Sequence, residues 1–329
     1  YNPVWEAKTA RDSNSWTCEM RIPFSQLRFN DISEQVWGVQ FNRWIPSRFE
    51  DIYWVVVPKN ATGFSSWFGE ITGIRDVKPS RRLELMPYVA SNAGIAGEAP
   101  HPADPLHDRV TLDKRIGGDL KMGLGPNLTL DATINPDFGQ VEADPAVVNL
   151  SAYETSVRER RPFFSEGNDL LHPEGPSYFY SRRIGGAPSG QARKLAKGDF
   201  VKYPANTTIL GAAKISGRIR PKTSLGVLAA VTGREKATVY DSATRKESKV
   251  VVEPTTTYGL TALRQEFGAN GSTIGLLLTG LSRDFSANSE LKKILRSQAY
   301  TGNIDWNLRF KGGKYDIVGY AGFSHVRGD

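Results

Sequence analysis

The chain has 329 residues, 39% of them hydrophobic, a net charge of +7 and one cysteine. That is enough for about two ordinary domains and too apolar for a disordered chain. Lys and Arg are scattered rather than clustered, which argues against nucleic acid as a partner. No run approaches the roughly 20 apolar residues of a membrane-spanning helix, which excludes helical spans but not spanning strands. Cys18 alone allows no intrachain disulfide. The chain opens at Tyr1 with neither an initiator Met nor a signal-like stretch, so Tyr1 is expected to be internal to a larger precursor.

Residues 1–78 hold short β-type runs, from Trp16 to Ile22, Val36 to Ile45, Ile52 to Val57 and Trp67 to Ile74. Pro23, Pro46, Pro58 and Gly63 punctuate them, and the run Pro79-Ser80-Arg81-Arg82 reads as a boundary. Beyond it the pattern becomes strict alternation. In 127–135, Leu128, Leu130, Ala132 and Ile134 share one face, against Thr129, Asp131 and Thr133 on the other. In 300–310, Tyr300, Gly302, Ile304, Trp306, Leu308 and Phe310 oppose Asn303, Asp305, Asn307 and Arg309. Residues 116–124 place Asp119 and Lys121 on the wet side, and 213–220 place Lys214, Ser216, Arg218 and Arg220 there. Side chains along a strand alternate between faces, so each of these strands has one greasy and one wet side.

Nine such strands are predicted, near 83–97, 115–124, 127–135, 208–219, 223–235, 253–266, 272–285, 297–310 and 314–326. Short turns and long connections alternate between them; the long ones are 98–114, 136–207, 236–252 and 286–296. That alternation, with strands of membrane-crossing length, is the habit of outer-membrane barrels. Tyr88, Phe267, Phe285, Tyr300, Phe310 and Tyr315 near strand ends fit interfacial girdles. The expected fold class is therefore all-β. It is a transmembrane antiparallel β-barrel, incomplete in this sequence, preceded by part of a β-sandwich. The first strand runs outward, which puts residues 1–78 in the periplasm. Nine is an odd count where bacterial barrels use even ones, so further strands are expected after Asp329.

The insertion 136–207 begins with charge. Asp144 then Pro145 reads as a helix start, Val147, Leu150, Tyr153 and Val157 follow at helical spacing, and Glu154 and Arg158 stand four apart. A charged segment hung from the outer end of a strand must fold into the lumen or over its mouth, as a plug or lid. From Asn135 to Leu170 the chain reads "NPDFGQVEADPAVVNLSAYET", "ERRPFF" and "EGNDL". These strings resemble a bacterial outer-membrane β-barrel family of unknown function whose members carry an N-terminal carbohydrate-binding family-9-like domain. "SWTCEMRIPFSQLRF" and "VWGVQFNRWIP" resemble the second half of that domain. The resemblance implies that 1–78 is the C-terminal part of the family-9-like sandwich and 79–329 the first part of the barrel. It carries no activity with it.

The charged candidates for ligand contact in the plug and lumen are Asp137, Glu142, Asp144, Glu154, Arg158, Arg160, Arg161 and Glu166, with Asp131 and Asp305 on the strands. They read either as a constriction that selects solutes or as an ion-pair network pinning the insertion to the wall. Arg160 and Arg161 are expected to meet Asp131 or Asp305. Trp37, Trp44 and Trp54 read either as a glycan-stacking platform or as sandwich core. His101, Asp104 and His107 offer a weak metal pattern; no metal or cofactor is expected. No Ser/His/Asp or paired-carboxylate constellation is visible, so the chain is not expected to be an enzyme. The expected function is binding or passage of a solute, for which a glycan is one candidate. The alternatives are an outer-membrane structural or assembly anchor and an outer-membrane hydrolase. The expected partners are the lipid of the outer membrane and carbohydrate.

Overall fold

The computed structural model describes residues 5–27, 29–58, 64–79, 82–99, 101–136, 157–167, 170, 171, 177–286 and 289–328. The chain is all-β, built largely from antiparallel pairs.

The N-terminal region forms three separate two-stranded sheets: β1 (Glu6–Arg11) with β2 (Trp16–Arg21), β3 (Glu34–Val39) with β6 (Gly69–Arg75), and β4 (Asn42–Ile45) with β5 (Glu50–Tyr53). The run expected to be continuous from Val36 to Ile45 is broken at Gln40. The Gln40 side chain there exchanges hydrogen bonds with the backbone of Val55, 2.7 and 2.8 Å. Strand β1 lies outside every predicted run, because Glu6, Lys8 and Arg11 hide its period.

Beyond it lie β7 (Leu83–Ile95), β8 (Val110–Leu124), β9 (Leu128–Ile134), β10 (Phe200–Lys202), β11 (Ile209–Arg220), β12 (Thr223–Thr232), β13 (Glu235–Asp241), β14 (Lys246–Glu253), β15 (Thr255–Phe267), β16 (Ser272–Asp284), β17 (Gln298–Phe310) and β18 (Tyr315–Arg327). Nine of them make one antiparallel sheet in the order β18-β17-β16-β15-β12-β11-β9-β8-β7, a meander in which chain neighbours are sheet neighbours. All nine strands predicted beyond residue 82 are present. The sheet is open, with β7 and β18 as its edges. The connection 236–252, expected as a loop, is mostly the hairpin β13–β14, which pairs with β10 in a small separate sheet.

Register fixes the faces. Leu85, Leu120, Ala132, Ala213, Ala229, Gly259, Gly280 and Tyr300 are successive cross-strand partners from β7 to β17. One residue along, the partners are Glu84, Lys121, Asp131, Lys214, Leu228, Leu260, Thr279, Thr301 and Ser324. Partners across an antiparallel pair share a face, so the first row belongs to an apolar face and the second to a polar one. On the apolar face the central positions of all nine strands carry no charged side chain. Leu85, Val89, Ile116, Ile134, Leu276, Ile304, Ile317 and Phe323 stand exposed there.

The polar face is the covered one. Described residues of the insertion touch it from β8 to β18: Glu166 meets Lys121, the Tyr178 carbonyl accepts from Thr301 at 3.5 Å, and the Tyr178 hydroxyl lies over Gly322. The sheet therefore wraps the insertion with its polar side inward. Beneath the insertion lies a core of Phe164, Leu171 and Ile184 against Ala212, Leu228, Ala230, Leu260, Ala262 and Leu277. Glycine is needed where the β8–β9 turn meets β11. Gly217 has φ +141°, and a Cβ there would lie 2.0 Å from the Asn127 carbonyl oxygen. It stands just before the bulge at the end of β11, between Arg218 and Arg220, where an extra residue bends the strand.

The aromatics divide. Phe267, Phe310 and Tyr315 stand exposed at the short-turn end and Tyr300 toward the other end. Tyr88 does not join them: it shares the polar face and its hydroxyl donates to the Asn135 carbonyl, 2.9 Å. Phe285 is buried.

Candidate functional site: the polar wall and the docked insertion

The site grows from one row of the sheet. Glu84, Lys121, Asp131 and Lys214 sit side by side on four adjacent strands because each occupies the inward phase of its alternation. Lys121 Nζ lies 3.8 Å from Asp131 Oδ1 and is also paired with Glu166. Lys214 is only 1% exposed. Its ammonium donates to the carbonyls of Phe163 (2.6 Å) and Glu166 (2.5 Å), and stands 5.1 Å from the Phe163 ring centre. A buried ammonium is costly unless paired and hydrogen-bonded, and here the insertion's backbone supplies the acceptors. The helical turn α1 (Pro162–Ser165) presents them: Pro162 suits a first helical position, and Gly167, at φ +65°, ends the turn against Ser216.

A second hub lies inside the insertion. Arg161 forms a two-pronged pair with Glu159 (2.9 and 2.7 Å) and donates to the carbonyls of Ile184 (2.7 Å) and Ser181 (2.8 Å). Its guanidinium lies 4.2 Å from the Phe164 ring centre. Ser181 also donates to Glu159, 2.5 Å. Arg161 was expected to meet Asp131 or Asp305. It pairs with Glu159 instead, two residues away, because Pro162 starts the α1 turn and folds the two side chains together. The contact with the wall runs the other way, from the insertion's carboxylate Glu166 to the wall's lysines.

Both carboxyls titrate low. Burial alone would push Glu159 up, but the hydrogen bonds and charge of Arg161, with the Ser181 hydroxyl, hold it below the ordinary carboxylate value. Glu166 is likewise pushed up by burial but pulled lower overall by Lys121, with help from Lys214. A depressed folded-state pKa contributes stability above the unfolded value of about 4.3 and loses it as pH falls through the folded value. Docking of the insertion should therefore be flat from pH 6 to 8 and weaken only below about pH 4. Hydrogen exchange at the Phe164, Ser165 and Glu166 amides across that range measures it. Loss of protection between pH 6 and 7 would contradict it.

Other predicted residues are placed as follows. Asp305 is buried on the inner face of β17, its carboxylate lying over Gly275, far from Lys121 along the sheet. The Arg158 carbonyl accepts from Arg182, 2.8 Å, and the Arg160 amide donates to Glu159, 3.1 Å. Asp137, Glu142, Asp144 and Glu154 lie outside the described residues, as does the helix expected from Asp144. The inner face of β17 carries two further polar side chains, Asn303 and Asn307, whose buried Oδ1 atoms accept no hydrogen bond among the described residues. Lys121 and Lys214 read from sequence only as wet-side residues. Their signal, four charges of alternating sign in one row, needs the strand register to appear.

In the N-terminal region Trp37 sits in an aromatic cluster, edge-on to Phe24 at 5.4 Å and against Phe29 at 5.3 Å. Trp44 and Trp54 instead line an open cleft with Trp16 and Phe41, floored by Asn42, Arg43 and Ile52. His107 is engaged with the Gly97 carbonyl (2.8 Å), and Asp104 accepts from the Leu106 amide (2.9 Å). Among the described residues, no three His, Cys, Asp or Glu side chains stand close enough to share a metal.

Residues 79–327 match the family described as Domain of unknown function (DUF5916). No curated protein and no solved structure matches the chain.

Proposed function

The chain belongs to the DUF5916 family, and on that premise we propose that it is a bacterial outer-membrane β-barrel protein that binds or passes a polar solute around a docked insertion. One observation carries this reading: nine paired strands turn a face outward whose central positions are apolar and uncharged, and carry the charged row Glu84, Lys121, Asp131 and Lys214 on the inner face. A water-soluble protein rarely exposes contiguous apolar patches beyond a few hundred Å². Lipid contact accounts for all nine strands at once. Long connections at one end and short turns at the other support the same placement, with residues 1–78 on the periplasmic side. Unpaired edge groups cost several kcal/mol each in hydrocarbon, so in the membrane both β7 and β18 are covered.

The polar wall supports a solute path, and the insertion is its plug. The N-terminal region serves as a carbohydrate-binding family-9-like module, and the Trp16, Phe41, Trp44 and Trp54 cleft suits stacking on a sugar ring. The apolar core beneath the insertion favours a second reading, a permanently filled barrel acting as an anchor. Deleting 146–170 separates the two. It removes Arg161, Phe164 and Glu166, and single-channel conductance in planar bilayers should rise severalfold or more. Unchanged conductance from a correctly inserted barrel would favour the anchor.

A further inference from the structure

On the inner side of the β7 edge, the wall and the insertion enclose a cavity of about 310 Å³, at the small end of the ~300–1,000 Å³ typical of ligand pockets. Its walls are mostly apolar: Met86 and Ala90 of β7, and Pro162 and Phe163 of the insertion. Three polar side chains line it: Asp119 of β8 and Thr133 of β9, which are cross-strand partners, and Tyr88 of β7, whose hydroxyl already donates to the Asn135 carbonyl at 2.9 Å. Thr133 is 2% exposed, and among the described residues its hydroxyl has no hydrogen-bond partner. Among the described residues, no ion pair or hydrogen bond engages the Asp119 carboxylate. The cations of β8 and of the start of β7 point or pair elsewhere: Lys121 with Asp131 and Glu166, Arg115 with Asp113, Arg82 with Glu84, and Lys114 on the opposite face of β8.

A half-buried carboxylate beside a buried unpartnered hydroxyl is an incomplete site. Buried polar groups in folded proteins are satisfied, and those left over call for a partner. Cross-strand partners hold their Cβ atoms about 5 Å apart, so the two oxygens can converge on one donor group. The charge must be positive to meet Asp119. The rest of the ligand must be apolar to meet Met86, Ala90, Pro162 and Phe163. Calcium or magnesium would want about six oxygens, and among the lining side chains finds one carboxylate and the hydroxyls of Thr133 and Tyr88. We propose that this cavity binds a small organic ammonium ion, its head between Asp119 and Thr133 and its apolar body against Phe163.

Benzylammonium tests this by titration calorimetry on the full chain in detergent micelles, with benzyl alcohol and benzoate as neutral and anionic isosteres. Saturable single-site binding of benzylammonium is expected, with benzyl alcohol at least tenfold weaker and benzoate silent. Asp119→Asn should weaken benzylammonium at least tenfold, and Ala90→Phe, which fills the cavity, should abolish binding. Thr133→Val should weaken binding severalfold yet melt no lower than the parent, because it removes a hydroxyl that lacks a partner. No binding of benzylammonium, equal binding of benzoate, or affinity unchanged in Asp119→Asn would overturn the proposal. Conductance plays no part in the measurement, so failure of the pore reading leaves this result standing on its own.

Discussion

If the proposed outer-membrane placement holds, replacing Ile304 with Arg should destabilise the fold by about 2–4 kcal/mol, the cost of a charge on a lipid face near the bilayer midplane. Ile304 lies midway along β17, 46% exposed, with Leu276 and Ala321 as its cross-strand partners. Neither neighbour offers a counter-charge, and along β17 the flanking outward residues are Gly302 and Trp306. An arginine there can only stretch toward an interface or drag water inward. Ser324→Arg is the matched control. Ser324 is also exposed but lies on the inner face, opposite Thr301, where an added charge meets a polar surface and should cost within about 0.5 kcal/mol. Urea unfolding of both variants from lipid vesicles gives the comparison. Similar costs at the two sites would mean that the two faces share one environment.

Lys214→Ala should release the insertion. The change strands the carbonyls of Phe163 and Glu166, which lose a charged donor, and leaves a hole beside Asp131 where a side chain 1% exposed had been. Breaking one partner of a buried charged contact costs about 3–5 kcal/mol. A 3 kcal/mol loss is roughly a 100-fold change in the docking equilibrium. Exchange protection of the Phe164, Ser165 and Glu166 amides should fall by about that factor. The outward-facing strands should keep theirs, since Lys214 touches none of their ladder bonds. Protection that survives the substitution would mean that the apolar core of Phe164, Leu171 and Ile184 holds the insertion without help from the wall lysine.

The difference between these two sites also marks what the sequence discloses. Ile304 faces away from Asp305 by the period of a strand alone, so face assignments for 127–135 and 300–310 are legible residue by residue, and the nine strands follow. Register is not legible. Nothing local aligns Lys121 with Asp131 and Lys214, which lie 10 and 93 positions further along the chain, so their charge row appears only once the strands pair. The direction of docking is hidden for the same reason. Arg161 looks like the residue to reach the wall, but the turn at Pro162 folds it onto Glu159 and leaves Glu166 to make the contact. The stretch 236–252 reads as a loop because Lys236, Asp241, Lys246, Glu247 and Lys249 obscure its alternation. Ala237 and Val239 nevertheless keep period two and pack against Ala192 and Val252. Tyr88 looks interfacial by position, but its phase along β7 turns it inward, where its hydroxyl finds the Asn135 carbonyl.

Spin labels placed one at a time from residue 300 to 310 in bilayer-reconstituted protein test the central claim most directly. Collision with oxygen reports lipid, and collision with a water-soluble nickel complex reports water. A barrel wall predicts period-two behaviour. Labels replacing Gly302, Ile304, Trp306 and Leu308 should be open to oxygen and closed to nickel, and those replacing Asn303, Asp305 and Asn307 closed to oxygen. Equal oxygen access at 304 and 305, or nickel access at 304 in the intact bilayer, would contradict it.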